Sequence, residues 1–253
     1  MELKGVPVLF LHGNSGSYKQ ARSLGVGTYL NEDNLPPFRD PYIADLKQRF
    51  GWFEGKENDG NTELIDVFSL DFKEELSGAH AHILERQALY MNDAVNFILN
   101  SLYKNTKHKS VIVVAHSMGG LVARLAPMMP NYKEGSLNTI FTLSSPHSGF
   151  PVFGEESILN LMSELNEFWI KNAKNPASDI SKMSFVSIGG GFRDEIIRDD
   201  MTRMSEILPP KNLISLSTYD IPGVRTSCDH LSVVWCKQLT HMLSLSILKL
   251  VTH

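Results

Sequence analysis

The feature that most constrains this chain is an apolar run that ends at a serine among small residues. Residues 111–120 read VIVVAHSMGG, so four β-branched residues lead into a turn built around Ser117. Helix-forming residues follow, which predicts a strand, a tight turn and a helix in that order. Two interpretations are open at this point: an ordinary turn with glycines for room, or a nucleophile held at the rim of a sheet.

The short motif around this serine separates the two interpretations in part. Ala115, Ser117 and Gly119 fit the pattern G-x-S-x-G, with alanine in the first position. In a nucleophile elbow the serine backbone is strained and the turn is tight, so larger side chains two positions away would clash. Alanine meets this demand nearly as well as glycine does. Because so short a pattern recurs by chance, it needs catalytic partners elsewhere in the chain.

Strand-like and helix-like segments alternate along the sequence. This alternation predicts an α/β fold with a mostly parallel central sheet and helices on both faces. Together with the elbow motif around Ser117, it predicts a fold of the α/β-hydrolase type. The 253 residues suffice for one sizeable core, and we expect residues 1–253 to form a single domain. The predicted strands are apolar at consecutive positions, as strands buried on both faces should be. They are Val6–Leu11, Ile65–Leu70, Val111–Ala115, Thr139–Ser144, Phe185–Ile188 and Leu213–Ser217.

Apolar residues at steps of three and four predict three helices. The first covers residues 83–103, and the second follows Ser117 and ends near Pro127. The last runs from Val233 through Leu243.

Two segments fit the alternation poorly. Residues 31–61 are rich in proline, glycine and charge, which predicts a long excursion from the regular fold. Residues 150–182 contain an amphipathic stretch between Ile158 and Ile170. This stretch is either a helix packed on the core or a lid, inserted as a cap, whose apolar face covers a lipid-binding cleft.

A serine hydroxyl is a weak nucleophile until a base takes its proton. In this fold the acid and then the histidine follow the serine along the chain. Of the histidines after Ser117, His147 comes before any suitable acid and is interpreted as structural, His241 falls in the last helix, and His253 is terminal. His230 lies in a polar loop between the last predicted strand and the last helix, and we predict it to be the base.

Two carboxylates compete for the role of the acid. Asp194 follows the next-to-last strand after three glycines, which give the chain freedom to turn beneath the sheet rim. Asp229 is adjacent to His230, and neighbouring residues seldom face each other well enough for a buried hydrogen bond. We therefore predict Asp194 to orient the imidazole and to stabilise its charged form.

Two backbone N–H groups are predicted to form an oxyanion hole. One belongs to Met118, the residue after the nucleophile. The other is expected from the loop after the first strand, with Asn14 as first choice and Ser15 as second. Gly13 would let this loop approach the acyl carbon. The alternative is an ordinary strand and loop in which His12 is structural.

Charge and composition exclude several functional classes. A formal net charge of −4 without a basic stripe argues against nucleic acid as a partner. The glycine clusters lack the Gly-Lys of a P-loop, and no His/Cys spacing typical of a metal site occurs, so no cofactor or metal is predicted. No run reaches the roughly 20 apolar residues of a membrane span, and the chain is expected to be soluble. Cys228 and Cys236 either form one bridge or remain two semi-buried thiols.

Longer strings resemble the glycosylphosphatidylinositol (GPI) inositol-deacylase family. They occur in the family's order, and together with VIVVAHSMGGLVAR they cover most of the chain. A proline often replaces His12 in the family, and the GSYKQ and DHL…VWC strings are far more specific than the elbow motif. The strings are PVLFLHGNSGSYKQARSL at residues 7–24, FSLDFKEEL at 68–76, GGGFRD at 189–194 and CDHLSVVWCKQL at 228–239.

The resemblance implies a lipase-like enzyme of the endoplasmic reticulum that removes the acyl chain from the inositol of GPI-anchored proteins and so licenses their export. It also implies that Ser117, Asp194 and His230 form the catalytic triad. Acylated GPI-anchored proteins or other lipid esters are then the expected substrates. Family members are usually long membrane proteins, so membrane association is expected through the substrate or through segments outside this chain.

Two other functions fit the same residues. One is a soluble esterase or lipase that acts on simpler lipid esters. The other is a hydrolase-fold binding module whose triad is inert.

Overall fold

One six-stranded sheet organises the computed structural model, which describes residues 3, 5–29, 65–150 and 156–252. The strand order is β2-β1-β3-β4-β5-β6, and every neighbouring pair is parallel. All six predicted strands are confirmed to within two residues. They are β1 (Val6–Leu11), β2 (Ile65–Ser69), β3 (Val111–His116), β4 (Leu137–Leu143), β5 (Ser184–Gly189) and β6 (Leu213–Ser217). Because all the strands run the same way, the loops after them lie at one edge of the sheet.

Helices cover both faces of this sheet, as predicted. Leu9 and Leu11 of β1 belong to one buried cluster, which α2, α3 and α4 cover, whereas Val8 and Phe10 belong to a second cluster under α1 and α5. This alternation follows from the two-residue period of a strand. The α-helices of the described residues are α1 (Arg22–Tyr29), α2 (Ala81–Phe97), α3 (Met118–Leu125), α4 (Glu156–Ala173) and α5 (Lys237–Thr252).

The predicted helix bounds hold for α2 and α3 but not for α5. Helix α2 continues into a π-helical turn at Ile98–Leu102, so the prediction over 83–103 is close. Helix α5 begins at Lys237, and the prediction of a start at Val233 is wrong. Residues Ser232–Val234 form a separate 3-10 turn, because the carboxylate of Asp229 caps the N–H groups of Leu231 and Ser232.

The amphipathic stretch within residues 150–182 is a helix packed on the core. The apolar face of α4 joins the cluster beneath the sheet, and its fully buried Trp169 contacts the ring of Phe185 edge-on. Trp169 also donates a hydrogen bond of 2.8 Å to the carbonyl of Arg124. This apolar face is therefore not available to cover a cleft, contrary to the lid interpretation. Residues 151–155 lie outside the described residues.

Two further expectations concern parts of the chain that the structure does not describe. The predicted excursion at residues 31–61 lies outside the described residues, and the single domain over 1–253 stays a prediction. Among the helices that the structure does describe, none combines the length and apolar character that crossing a bilayer requires.

Candidate active site

Ser117 stands at the turn between β3 and α3 with a strained backbone. Its φ and ψ are 55° and −127°, in a region that residues with a side chain rarely occupy. The motif requires a glycine two positions after the serine, since a Cβ on Gly119 would stand 2.8 Å from the carbonyl oxygens of both Leu11 and His12. The Ser117 N–H is held by the carbonyl of Leu143 at 2.9 Å, at the end of β4. The hydroxyl is thus fixed at the carboxyl edge of the sheet.

The structure brings the three predicted catalytic side chains together. Nε2 of His230 lies 3.0 Å from Oγ of Ser117, and its Nδ1 lies 3.1 Å from Oδ2 of Asp194. An ionised carboxylate only accepts hydrogen bonds, so Nδ1 carries the proton in the neutral ring. Nε2 then has a free lone pair that can accept the serine proton.

The loop after β5 holds Asp194 beneath the imidazole. Gly191 has a φ of 85°, which a residue with a side chain would adopt only at a cost, and its carbonyl accepts the N–H of Asp194. Oδ1 of Asp194 accepts the N–H groups of Ile196 and Ile197 at 3.1 and 2.8 Å. Burial alone would raise the pKa of this carboxyl, but the hydrogen bonds from His230 and Ile197 outweigh it and hold the pKa below its ordinary value. Asp194 is therefore charged at neutral pH.

The rival carboxylate has a different role in the structure. Asp229 is exposed, and its Oδ1 accepts the N–H groups of Leu231 and Ser232 at 3.0 and 2.9 Å. It shapes the turn after His230 and leaves the contact with Nδ1 to Asp194.

The two N–H groups predicted for the oxyanion hole differ in how well the structure supports them. Met118 is the first residue of α3, where backbone N–H groups have no partner within the helix. Among the described residues, no acceptor takes the N–H of Met118 or of Asn14. The second choice, Ser15, fails because its N–H already donates to the carbonyl of Glu75 at 3.0 Å.

The loop that carries Asn14 is fastened to the turn after β2. The Asn14 side-chain oxygen accepts the N–H of Gly78 at 2.8 Å, and Nε2 of His12 accepts the N–H of Phe72 at 3.0 Å. The His12 proton is consequently on Nδ1, which donates to the carbonyl of Gly13 at 2.9 Å. Burial lowers the pKa of His12, which keeps this arrangement neutral. His12 therefore has a structural role, which is to hold the loop that carries Asn14.

Residues 2–250 match the model of the family described as PGAP1-like alpha/beta domain. The chain belongs to this family.

Curated relatives of this PGAP1-like domain are named GPI inositol-deacylase. The one from Debaryomyces hansenii is 37% identical over 268 residues, which cover 98% of this chain and 24% of the relative. The one from Kluyveromyces lactis is 38% identical over 262 residues, which cover 99% of this chain and 25% of the relative. The chain thus spans about a quarter of the length of the curated relatives it matches.

Solved structures of lipases share the fold of the PGAP1-like domain. The mature lipase BlEst2 of Bacillus licheniformis aligns with a TM-score of 0.54 and 15% identity over 98% of this chain and 93% of that one. Lipase B of Aspergillus fumigatus aligns with a TM-score of 0.56 and 13% identity over 98% of this chain and 53% of that one. The predicted α/β-hydrolase fold is confirmed.

Sequence reasoning missed one residue at the site of the PGAP1-like domain. His116 precedes the nucleophile, and the expected chain order of serine, acid and histidine gives it no role. In the structure its Nε2 lies 2.8 Å from the backbone carbonyl of His230, and the two rings pack with their centroids 4.8 Å apart. These residues are 114 positions apart, and no local signal in the sequence relates them.

The remaining residues singled out from the sequence lie around the site without joining it. His147 is fully buried, and its Nε2 lies 3.0 Å from the Thr142 hydroxyl, which fits the structural interpretation. Cys228 and Cys236 flank His230 as free thiols, the first buried and the second partly exposed. A hydrogen bond from the Cys228 thiol and the N–H groups at the start of α5 lower the pKa of Cys236 to about 6.

Proposed function

We propose that this chain is a serine ester hydrolase that removes the acyl chain from the inositol of GPI-anchored proteins through an acyl-enzyme on Ser117. One observation carries the chemistry: the imidazole of His230 lies within hydrogen-bond distance of both the Ser117 hydroxyl and the Asp194 carboxylate. Membership of a family whose relatives are named GPI inositol-deacylase supports the choice of substrate.

The reaction would begin with transfer of the Ser117 proton to Nε2 of His230. Oγ then attacks the carbonyl carbon of the ester, and the ring becomes an imidazolium. Asp194 stabilises that charge, because its carboxylate is already ionised and buried against Nδ1. Three residues from separate loops thereby act as one unit.

The negative charge that develops on the ester oxygen needs donors that are in place beforehand. We assign this role to the backbone N–H groups of Met118 and Asn14. Donors fixed by a folded backbone cost no reorganisation during the reaction, and one such donor is worth about 10²- to 10³-fold in rate. The bonds that fasten Asn14 to Gly78 and His12 to Phe72 keep one of these donors in place.

The leaving group is the inositol oxygen. As the tetrahedral intermediate collapses, the Nε2 proton moves to that oxygen, and the acyl chain remains on Oγ of Ser117. Nε2 then takes a proton from a water molecule, whose oxygen attacks the acyl carbon and releases the fatty acid. The serine regains its proton, so the enzyme returns to its starting state.

Acyl release from an inositol-acylated GPI-anchored protein tests this function directly. The chain is incubated with such a substrate in detergent micelles, and the released fatty acid is measured by mass spectrometry. We expect release by the wild type and none above background by Ser117→Ala. Equal release by both proteins would refute the role of Ser117.

Two further measurements separate the alternatives. A fluorophosphonate probe labels only an activated serine, so an unlabelled wild-type protein would indicate an inert binding module. Turnover of a short-chain ester without any release of the inositol-linked acyl chain would indicate an esterase for simpler lipids.

A further inference from the structure

His116 connects the nucleophile segment to the base. It is the last residue of β3 and precedes Ser117, so its backbone position is fixed by the sheet. Its Nε2 lies 2.8 Å from the carbonyl oxygen of His230, and its ring packs on the ring of His230 at an interplanar angle of 40°. One side chain therefore contacts both the backbone and the ring of the proposed base.

The direction of this hydrogen bond follows from the acceptor. A carbonyl oxygen only accepts, so Nε2 of His116 must carry a proton and donate it. His116 is 2% exposed, and among the residues that the structure describes its Nδ1 has no hydrogen-bond partner. Burial, and next the charge of the nearby His230, lower the pKa of His116 to about 4, against smaller opposing effects of the hydrogen bond to the His230 carbonyl and of Asp194. The ring is therefore a neutral donor at neutral pH.

We infer that His116 is a positioning residue that holds His230 in reach of Ser117. This inference rests on the proposed function, because it assigns His116 a part in the reactivity of the same serine. His116 is buried and does not touch the substrate in this role. Its hydrogen bond fixes the main chain of residue 230, and its ring limits the rotation of the imidazole.

The need for such an anchor follows from how His230 is placed. It stands in a loop between β6 and α5, and it belongs to neither element. Its ring bonds to Asp194 and Ser117 constrain the side chain, whereas the bond from His116 holds the backbone carbonyl of the same residue. A displacement of about 1 Å at a catalytic group can cost about 10²-fold in rate. The bond from His116 ties that backbone to the residue next to the nucleophile.

A set of substitutions at His116 tests the role. His116→Gln keeps an N–H donor at nearly the distance of Nε2, whereas the amide of His116→Asn is too short to reach the carbonyl of His230. His116→Phe keeps a ring and removes the donor. His108→Phe is the matched control, because His108 precedes β3 at the opposite edge of the sheet.

The readout is saturation kinetics of Ser117 labelling by a fluorophosphonate, with a thermal unfolding curve for each variant. We expect kinact to fall at least about tenfold in His116→Asn and His116→Phe, with KI unchanged since a buried ring does not meet the probe. His116→Gln should stay within about threefold of the wild type, and His108→Phe should match it. If the phenylalanine variant does not fold, the Gln and Asn pair decides.

The outcomes separate this inference from the proposed function. Rapid labelling of the wild type together with equal kinact in folded His116→Gln and His116→Asn would refute the positioning role alone. A fall in both variants with matching losses of thermal stability would also refute it, since that result indicates a purely structural residue. Absence of labelling in the wild type would refute the activation of Ser117 itself, and the positioning role with it.

Discussion

The Cβ that Gly13 lacks would stand 2.6 Å from the Cβ of Ser117. The same position is 2.9 Å from the carbonyl oxygen of His116 and 3.0 Å from Oγ of Ser117. The loop after β1 therefore approaches the nucleophile so closely that only glycine fits. We expect Gly13→Ala to reduce the rate of fluorophosphonate labelling at least about 10²-fold, because the methyl group displaces either Oγ or the loop that carries Asn14.

A second glycine provides the matched control for this change. Among the residues that the structure describes, a Cβ on Gly25, within α1, meets no atom within 4 Å. Gly25→Ala should keep the wild-type labelling rate and raise the free energy of unfolding by about 0.5 to 1 kcal/mol, since alanine favours the helix. A folded Gly13→Ala protein that labels at the wild-type rate would contradict the close approach.

The two aspartates near His230 should respond differently to the same substitution. In Asp194→Asn, the N–H groups of Ile196 and Ile197 require the amide oxygen at the position of Oδ1. The amide NH₂ then faces Nδ1 of His230, and the ring proton moves to Nε2. A protonated Nε2 cannot accept the proton of the serine hydroxyl. We expect a loss of about 10³- to 10⁴-fold in the rate of ester hydrolysis.

Asp229→Asn should cost less than about threefold in the same assay. Its side-chain oxygen only caps the turn after His230, and an amide oxygen can accept the same N–H groups from Leu231 and Ser232. Equal losses in the two variants would show that the assignment of the acid to Asp194 is wrong.

Much of the fold could be predicted because a parallel sheet buries its inner strands on both faces. Runs such as Val111–Ala115 are apolar at consecutive positions, and this pattern can be recognised without knowing which strands lie beside them. The start of α5 could not be predicted, since Val233 and Val234 suit a helix and only the cap by Asp229 diverts them. The apolar residues of α4 have the same spacing whether they face a core or a cleft. Contacts such as that of Trp169 with Phe185 show that they face the core.

At the site, sequence order identified which side chains meet but not how the backbone holds them. Ser117, Asp194 and His230 follow the order that the fold imposes on such a triad. Ser15 lies in the predicted loop, but its N–H donates to the carbonyl of Glu75, on a different loop, and so is not available to the site. His116 was missed for the same reason, because its partner is a backbone oxygen distant in the chain. Backbone contacts of this kind leave no pattern in side-chain identity.

Buried neutral histidines should make the protein less stable as the pH falls. The pKa of His116 is lowered from 6.5 to about 4 in the folded state, first by burial. Below pH 6.5, His116 binds a proton in the unfolded chain but not in the folded protein. The free energy of unfolding therefore falls as the pH decreases toward 4. Urea unfolding of the wild type at pH 7.5, 6.0 and 5.0 should show a decline in the free energy of unfolding.

The variant His116→Gln isolates the contribution of this histidine. As the pH falls, the free energy of unfolding of this variant should decline less steeply than that of the wild type. The difference in slope corresponds to at most one proton, or about 1.4 kcal/mol per pH unit below pH 6.5. His12 and His147 also have lowered pKa values and act in the same direction in both proteins, so they cancel from the comparison. Parallel curves for the two proteins would contradict a neutral His116.

The backbone strain at Ser117 predicts a reversal of the usual preference for alanine over glycine. At φ 55° and ψ −127° a Cβ is unfavourable, whereas glycine adopts this conformation readily. Both Ser117→Ala and Ser117→Gly should be inactive, but we expect the glycine variant to be more stable by about 1 kcal/mol in urea unfolding. At Ser246, an exposed position within α5, the alanine variant should instead be more stable than the glycine variant by about 1 kcal/mol. The same sign at both serines would mean that the turn stores no strain, and that the nucleophile is held at no cost to stability.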